Sequence, residues 1–196
     1  STATQTDAGQ RTLLMYDKIV AGLTEQRIPP GTRLREEKLA VLFEVSRTQV
    51  RKVLHRLELE GLVKREPNRG VTVVSPDQGE TREIFEARRL IEPWVVARLC
   101  GHCSKRGVLG LRRIVRDEQL AHDAGDRRTA VRMSGEFHRA LAAAAGNRAI
   151  SKSMDELSLR TCLAILANQA PTGTACRDDE HEKIVDAVAR GDVKLV

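Results

Sequence analysis

Aromatic residues are nearly missing from this chain of 196 residues: one Trp, one Tyr and three Phe make up 3% of it. A core without large rings must be assembled from Leu, Val, Ile and Ala, which favours packed helices. No apolar run reaches the roughly 20 residues that a membrane-spanning helix needs. The N-terminal Ser1–Asp7 segment also lacks the basic and apolar regions of a secretory signal. The expected location is the cytoplasm, with no membrane partner. Four cysteines are too few for a disulfide framework in a chain of this length. No catalytic triad and no complete cluster of metal ligands can be found, so an enzyme is not expected. A surplus of acidic residues is missing too. Lys and Arg number 33 against 27 Asp and Glu, a net charge of +6, which suits an anionic partner without proving one.

The basic excess is concentrated. Residues 11–74 hold 13 basic against 8 acidic side chains, whereas residues 75–196 hold 20 against 18. Within the basic stretch, Val45 to Leu57 carries the most information. Ser46 can cap a helix, and Val50, Val53, Leu54 and Leu57 keep the spacing of one buried face. Arg47, Thr48, Gln49 and Arg51 are thereby left on the polar side, as in a recognition helix presented to a DNA major groove. Upstream, Ile19, Val20 and Leu23 predict a helix over Met15–Gln26 that stops at Pro29-Pro30-Gly31. A short helix over Glu36–Phe43, with Leu39, Ala40 and Phe43 inward, completes a helix-turn-helix. After Gly61 the period changes. Leu62–Arg65 and Val71–Val74 read as strands around the basic tip Pro67-Asn68-Arg69-Gly70, a wing whose Arg69 could enter a minor groove.

Residues 28–36, Leu39-Ala40, Val45-Ser46-Arg47-Thr48, Val50-Arg51, Leu57, Glu60-Gly61-Leu62-Val63 and Arg69-Gly70 together resemble the winged helix-turn-helix of GntR-family bacterial transcription regulators. The resemblance covers roughly residues 13–74. It implies contacts to double-stranded operator DNA from Arg35, Ser46, Arg47, Thr48, Gln49, Arg51, Arg69 and Gly70. Glu44 departs from the pattern by standing where the family usually has a glycine in the tight turn. A non-glycine residue at positive φ costs about 1 kcal/mol.

Beyond this block the pattern is helical throughout. Residues 1–10 are expected to be disordered, 11–75 to form the winged helix, 76–81 to be a linker, and 82–196 to form an all-helical effector and dimerisation domain. Thr81 to Leu99 carries Ile84, Leu90 or Ile91, Val95 and Leu99 on one side. A second helix with Val108, Leu111 and Val115 ends near Gly125. Helices over Thr129–Ala145 and Asn147–Ala167 follow, and a turn at Pro171–Thr174 precedes a last helix from about Arg177 to Arg190. The expected fold class is mainly α, a winged helix-turn-helix with a small hairpin followed by a helical bundle. Cys100-Gly101-His102-Cys103 has the spacing of a redox pair or of half a zinc site, but Cys162 and Cys176 do not supply a second pair. Helix-end and core thiols, a thiol switch and a metal site all remain open. His138 shares a helical face with Ser134, Leu141 and Ala145, and His181 shares one with Ile184 and Val188, so both imidazoles should point inward.

Glu86–Glu92, Glu136–Leu141 with Ala145-Gly146-Asn147, and Glu180–Ile184 with Gly191-Asp192 resemble the FCD effector domain of the FadR-type GntR subfamily, over roughly residues 82–196. Many such domains hold a divalent metal such as zinc through an aspartate and three histidines. Here Ser134 occupies the aspartate position, only His138 and His181 carry over, and a third histidine would fall past Val196, as if the domain were C-terminally truncated. The resemblance implies an effector that is a small carboxylate, sugar acid or amino acid, bound near Arg88, Ser134, His138 and His181. It further implies a homodimer that binds a palindromic operator as a repressor. The alternative is a thiol- or metal-sensing regulator of the same architecture.

Overall fold

The computed structural model describes residues 2–25, 27–67, 70–167 and 180–192. It divides after Ser75 into two compact units, the boundary expected from the polar, turn-forming residues that follow.

The first unit runs α1 (Thr2–Thr24), β1 (Arg33–Leu34), α2 (Glu36–Phe43), α3 (Arg47–Leu59), β2 (Val63–Glu66) and β3 (Gly70–Val73). Met15, Ile19 and Leu23 of α1 meet the buried face of α3, formed by Val50, Val53, Leu54 and Leu57, together with Leu34, Leu62, Val63, Val71 and Val73. Burial of each such side chain contributes about 1.5–3 kcal/mol. The strands form one antiparallel sheet in the order β1-β3-β2. The two-residue strand β1 is too short for any sequence period to disclose. The N-terminal segment expected to be disordered is helical from Thr2 onward. No proline interrupts Thr2–Gln10, so α1 continues upstream of Met15. Glu44 adopts the left-handed conformation anticipated for its position, φ 51°, and is the only non-glycine residue with positive φ among those described.

The second unit is α4 (Gln78–Leu99), α5 (Lys105–Asp123), α6 (Arg127–Ala144), α7 (Arg148–Ala167) and α8 (Glu180–Arg190). Capping sets the boundaries. Asp77 and Glu80 form a reciprocal capping box, which starts α4 at Gln78 and shortens the expected linker 76–81. Ser104 and Asp126 cap α5 and α6, and the Asn147 side chain accepts from the backbone N–H groups of Ala149 and Ile150 to open α7. On α4, Ile91 packs against the core while Leu90 is 83% exposed. The main core gathers Val95, Val96, Leu99, Leu111, Phe137, Leu141, Val185 and Val188. The expected Pro171–Thr174 turn and residues 177–179 lie outside the described residues. None of the described helices is long and apolar enough to cross a membrane.

Candidate functional site

Two groups of side chains stand out, one in each unit. In the first unit, Ser46 caps α3. Its Oγ accepts from the Gln49 backbone N–H, and Oε1 of Gln49 accepts from the Ser46 N–H at 2.9 Å. The Gln49 side chain also donates through Nε2 to Thr12 Oγ1 at 3.0 Å. Gln49, expected to read DNA, is thus engaged in capping α3 and in fastening it to α1 through Thr12. Arg47, Thr48 and Arg51 stay on the exposed face. The two arginines lie against the acidic first turn of α2: Arg51 Nε is 2.8 Å from Glu36 Oε2, and Arg47 Nη2 is 3.5 Å from Glu37 Oε1. Arg35, the residue before α2, is exposed. Gly70 opens β3 at φ 76°, a conformation suited to glycine. Arg69 lies outside the described residues.

In the second unit, the sequence correctly turns both histidines inward, and they meet. His138 Nε2 on α6 and His181 Nε2 on α8 are 3.1 Å apart, each ring only 3% exposed. A carboxylate stands behind each ring. Glu92 Oε1 of α4 is 3.0 Å from His138 Nδ1, and Glu118 Oε2 of α5 accepts from His181 Nδ1 at 2.6 Å. Arg88 donates through Nε to Glu92 at 2.8 Å, and is 5% exposed. Phe137 stacks on His181 with centroids 4.3 Å apart and meets the edge of His138 at 5.4 Å. The chain Arg88–Glu92–His138–His181–Glu118 therefore joins four helices through buried polar contacts. Burial acts to raise the Glu92 carboxyl, but the hydrogen bond and charge of His138, with Arg88 beside it, outweigh this and hold it at about 2. Sequence reasoning missed Glu92 as part of this chain, along with Glu118 and Phe137. A visible signal existed for Glu92, the i,i+4 pairing with Arg88.

The arrangement does not fit a metal site completed by the protein. Zinc takes three or four protein donors, whereas among the described residues only the two Nε2 atoms converge, and both carboxylates lie on the far sides of the rings. Ser134, one turn before His138, offers a hydroxyl where the family has an anion. Among the described residues no three His, Cys, Asp or Glu side chains gather as a ligand set. The described thiols offer little to a redox switch. Cys100, Cys103 and Cys162 are unpaired. Burial pushes all three thiols up, Cys162 to about 11, so the reactive thiolate is disfavoured. Cys176 lies outside the described residues.

Beside Glu92 a cleft of about 380 Å³ opens between α4 and α8, lined by Arg89, Pro93, Val96, Lys183, Ile184 and Ala187 among others. Its volume is that of a small-molecule site, and Glu92 of the buried chain lines it.

Comparison with known proteins agrees with both halves. Residues 13–73 match the bacterial regulatory proteins of the gntR family, and residues 83–196 match the FCD domain. A probable D-xylose utilization operon transcriptional repressor from Paenarthrobacter nicotinovorans is 27% identical over 91% of this chain and 79% of its own length. The gluconate operon transcriptional repressor of Bacillus licheniformis is 37% identical over 42% of this chain and 32% of its own length. Among solved structures, E. coli McbR/YncC superposes with a TM-score of 0.74 at 21% identity, covering 94% of this chain and 89% of that one. A putative GntR regulator from Rhodococcus sp. RHA1 gives 0.73 at 23%, covering 99% and 89%. These two likenesses establish the fold. A capped, basic helix presented by a winged unit and an all-helical unit with a buried histidine pair thus belong to one recognised architecture: this chain is a member of the GntR family of transcription regulators, with an FCD domain as its second half.

Proposed function

We propose that this chain is a ligand-responsive repressor of the FadR type that binds a palindromic operator as a homodimer. The observation that carries the reading is α3. Its cap and buried face are fully committed, while Arg47, Thr48 and Arg51 remain exposed at its first turns. One such helix contacts few base pairs, and two-fold pairing doubles the readout and fixes the half-site spacing.

The effector on this reading is a small carboxylate, sugar acid or amino acid. Arg88, expected as its clamp, spends its Nε on Glu92. Arg89, which lines the adjacent cleft and has no ion pair among the described residues, is better placed to take a carboxylate from solvent. Contact there would bear on the Glu92 carboxylate and through it on His138. A ligand that favours one arrangement of this chain shifts the population and with it operator affinity.

Selection of duplexes from a randomised pool tests the reading. Enrichment of an inverted repeat is expected, and a pool that stays random refutes operator recognition. Release of the selected duplex by a panel of small carboxylates should occur with the wild-type protein and be lost in His138→Gln or Arg89→Gln. Undiminished release in both variants removes the effector assignment.

A further inference from the structure

The strand beside the wing carries a cation that no sequence pattern above assigned. Arg33 of β1 lies opposite Thr72 of β3, and Thr72 lies opposite Lys64 of β2. Directly opposed residues share one face of a sheet, and Gly70, two residues before Thr72, continues that face. Arg33 follows it toward the hairpin. A Cβ built on Gly70 would stand 3.6 Å from both Nε and Nη2 of Arg33, in ordinary contact, so the guanidinium lies over the start of β3. A cleft opens at this point, lined by Arg33, Arg35, Arg65 and Gly70, with Glu36 and Glu37 on the α2 side.

The ion pairs distinguish these cations from one another. Arg51 and Arg47 rest on Glu36 and Glu37, Lys64 on Glu66 at 3.0 Å, and Arg65 on Glu58 at 3.8 Å. Among the described residues Arg33 has no ion pair, and its side chain is exposed. An anion can therefore reach it without displacing a carboxylate. The two acidic residues of the cleft lie on its α2 side and pair with Arg51 and Arg47, not with Arg33.

We propose that Arg33 is a phosphate anchor: its guanidinium takes a DNA backbone phosphate beside the wing and so fixes how the unit sits on the duplex. This rests on the DNA-binding reading above. A planar guanidinium offers two parallel N–H donors to phosphate oxygens. Such a contact positions the protein and carries no sequence information. Arg33 is thus a positioning residue, separate from the base-reading role of Arg47 and Arg51.

The test compares wild type, Arg33→Gln, Arg33→Lys and Arg47→Ala on a mixed-sequence duplex across a salt series, with pool selection run in parallel. Each phosphate neutralised contributes about 0.9 to the slope of log K against log salt. Arg33→Gln should lower the slope by about that amount, weaken binding severalfold on every sequence, and select the same sequences as wild type. Arg33→Lys should keep the slope, and Arg47→Ala should lose sequence preference. An unchanged slope in Arg33→Gln overturns the proposal, as does a changed sequence preference, which would make Arg33 a base reader. A slope that Arg33→Lys fails to restore overturns it as well, because the residue would then act through packing. If the wild type selects no sequence yet binds with a salt-dependent slope, operator recognition fails while the Arg33 comparison still decides this proposal.

Discussion

Replacing Glu36 by Gln should make the protein bind DNA more tightly while making it slightly less stable. Arg51 Nε lies 2.8 Å from Glu36 Oε2, with the arginine side chain 65% exposed and the glutamate 20%. An exposed pair of this kind is worth about 0.2–1 kcal/mol. For Arg51 to take a phosphate or a base edge, that pair must open, so its energy is subtracted from binding. Removing it should strengthen binding by at most about 1 kcal/mol, roughly fivefold. Glu36 also sits in the first turn of α2, where a negative charge offsets the helix dipole by about 0.3–1 kcal/mol. Stability should fall by a similar amount, which separates this mechanism from a general improvement of the fold. Fluorescence anisotropy on a labelled duplex and urea denaturation measure the two quantities. In an Arg51→Ala background the gain in affinity should shrink toward zero, because the penalty belongs to the pair. Equal gains in both backgrounds, or weaker binding by the single variant, would refute the reasoning.

Other expectations concern stability. Glu44→Gly should relieve about 1 kcal/mol of left-handed backbone cost while losing an exposed contact with Arg11 at 3.0 Å. Urea denaturation should therefore find it as stable as wild type or better, and Glu44→Ala no better. Thr72 Oγ1 is buried without a hydrogen-bond partner. Thr72→Val should raise the melting temperature, since an unpaired buried hydroxyl costs about 1–3 kcal/mol, and a lower melting temperature contradicts this. A Cβ on Gly135 would stand 2.6 Å from Cys162 Sγ, so Gly135→Ala should lose about 1–3 kcal/mol to overpacking against about 1 kcal/mol of helix propensity. Cys162→Ala in the same chain should recover the difference, and additive effects in a double-mutant cycle would show that the two groups do not meet. The Glu92 carboxyl is lowered from 4.5 to about 2, so its contribution to stability is complete above 4.5 and is lost as pH falls toward 2. Glu92→Gln should flatten unfolding free energy over that acid window, and an unaltered pH profile would count against the His138 and Arg88 contacts.

Legibility in the sequence followed the range of the interactions. The helix α3 was readable because its cap, periodicity and terminating glycine all lie within sixteen residues, from Ser46 to Gly61. Glu44 was readable because the turn type imposes its conformation locally. The direction of Gln49 was available as a Ser-x-x-Gln capping box, but a polar residue at the start of a basic helix reads equally well as a DNA contact. The strand Arg33–Leu34 exists only because β3 pairs with it, and two residues have no period to detect. In the helical unit, inward-facing positions followed from spacing, as His138 and His181 show. What stands opposite them did not. Glu118 lies on α5, 63 residues from His181, and nothing local separates it from the other charged residues of that helix.

The Glu118 contact also bears on why a core of this kind is retained. Apolar side chains in place of Arg88, Glu92, Glu118, His138 and His181 would avoid desolvation, and buried ion pairs often stabilise less than well-packed apolar substitutes. A polar chain that is fully paired fixes geometry sharply, but one whose partner is taken away becomes costly. Of its members, Glu92 alone lines the cleft that holds Arg89 and Lys183. On the proposed reading, an anion entering there competes with the Glu92 carboxylate, the most exposed member of the chain, for nearby positive charge. Its effect passes to α6 through His138 and, by way of His181, to α5 through Glu118, without the ligand having to reach either of those two helices.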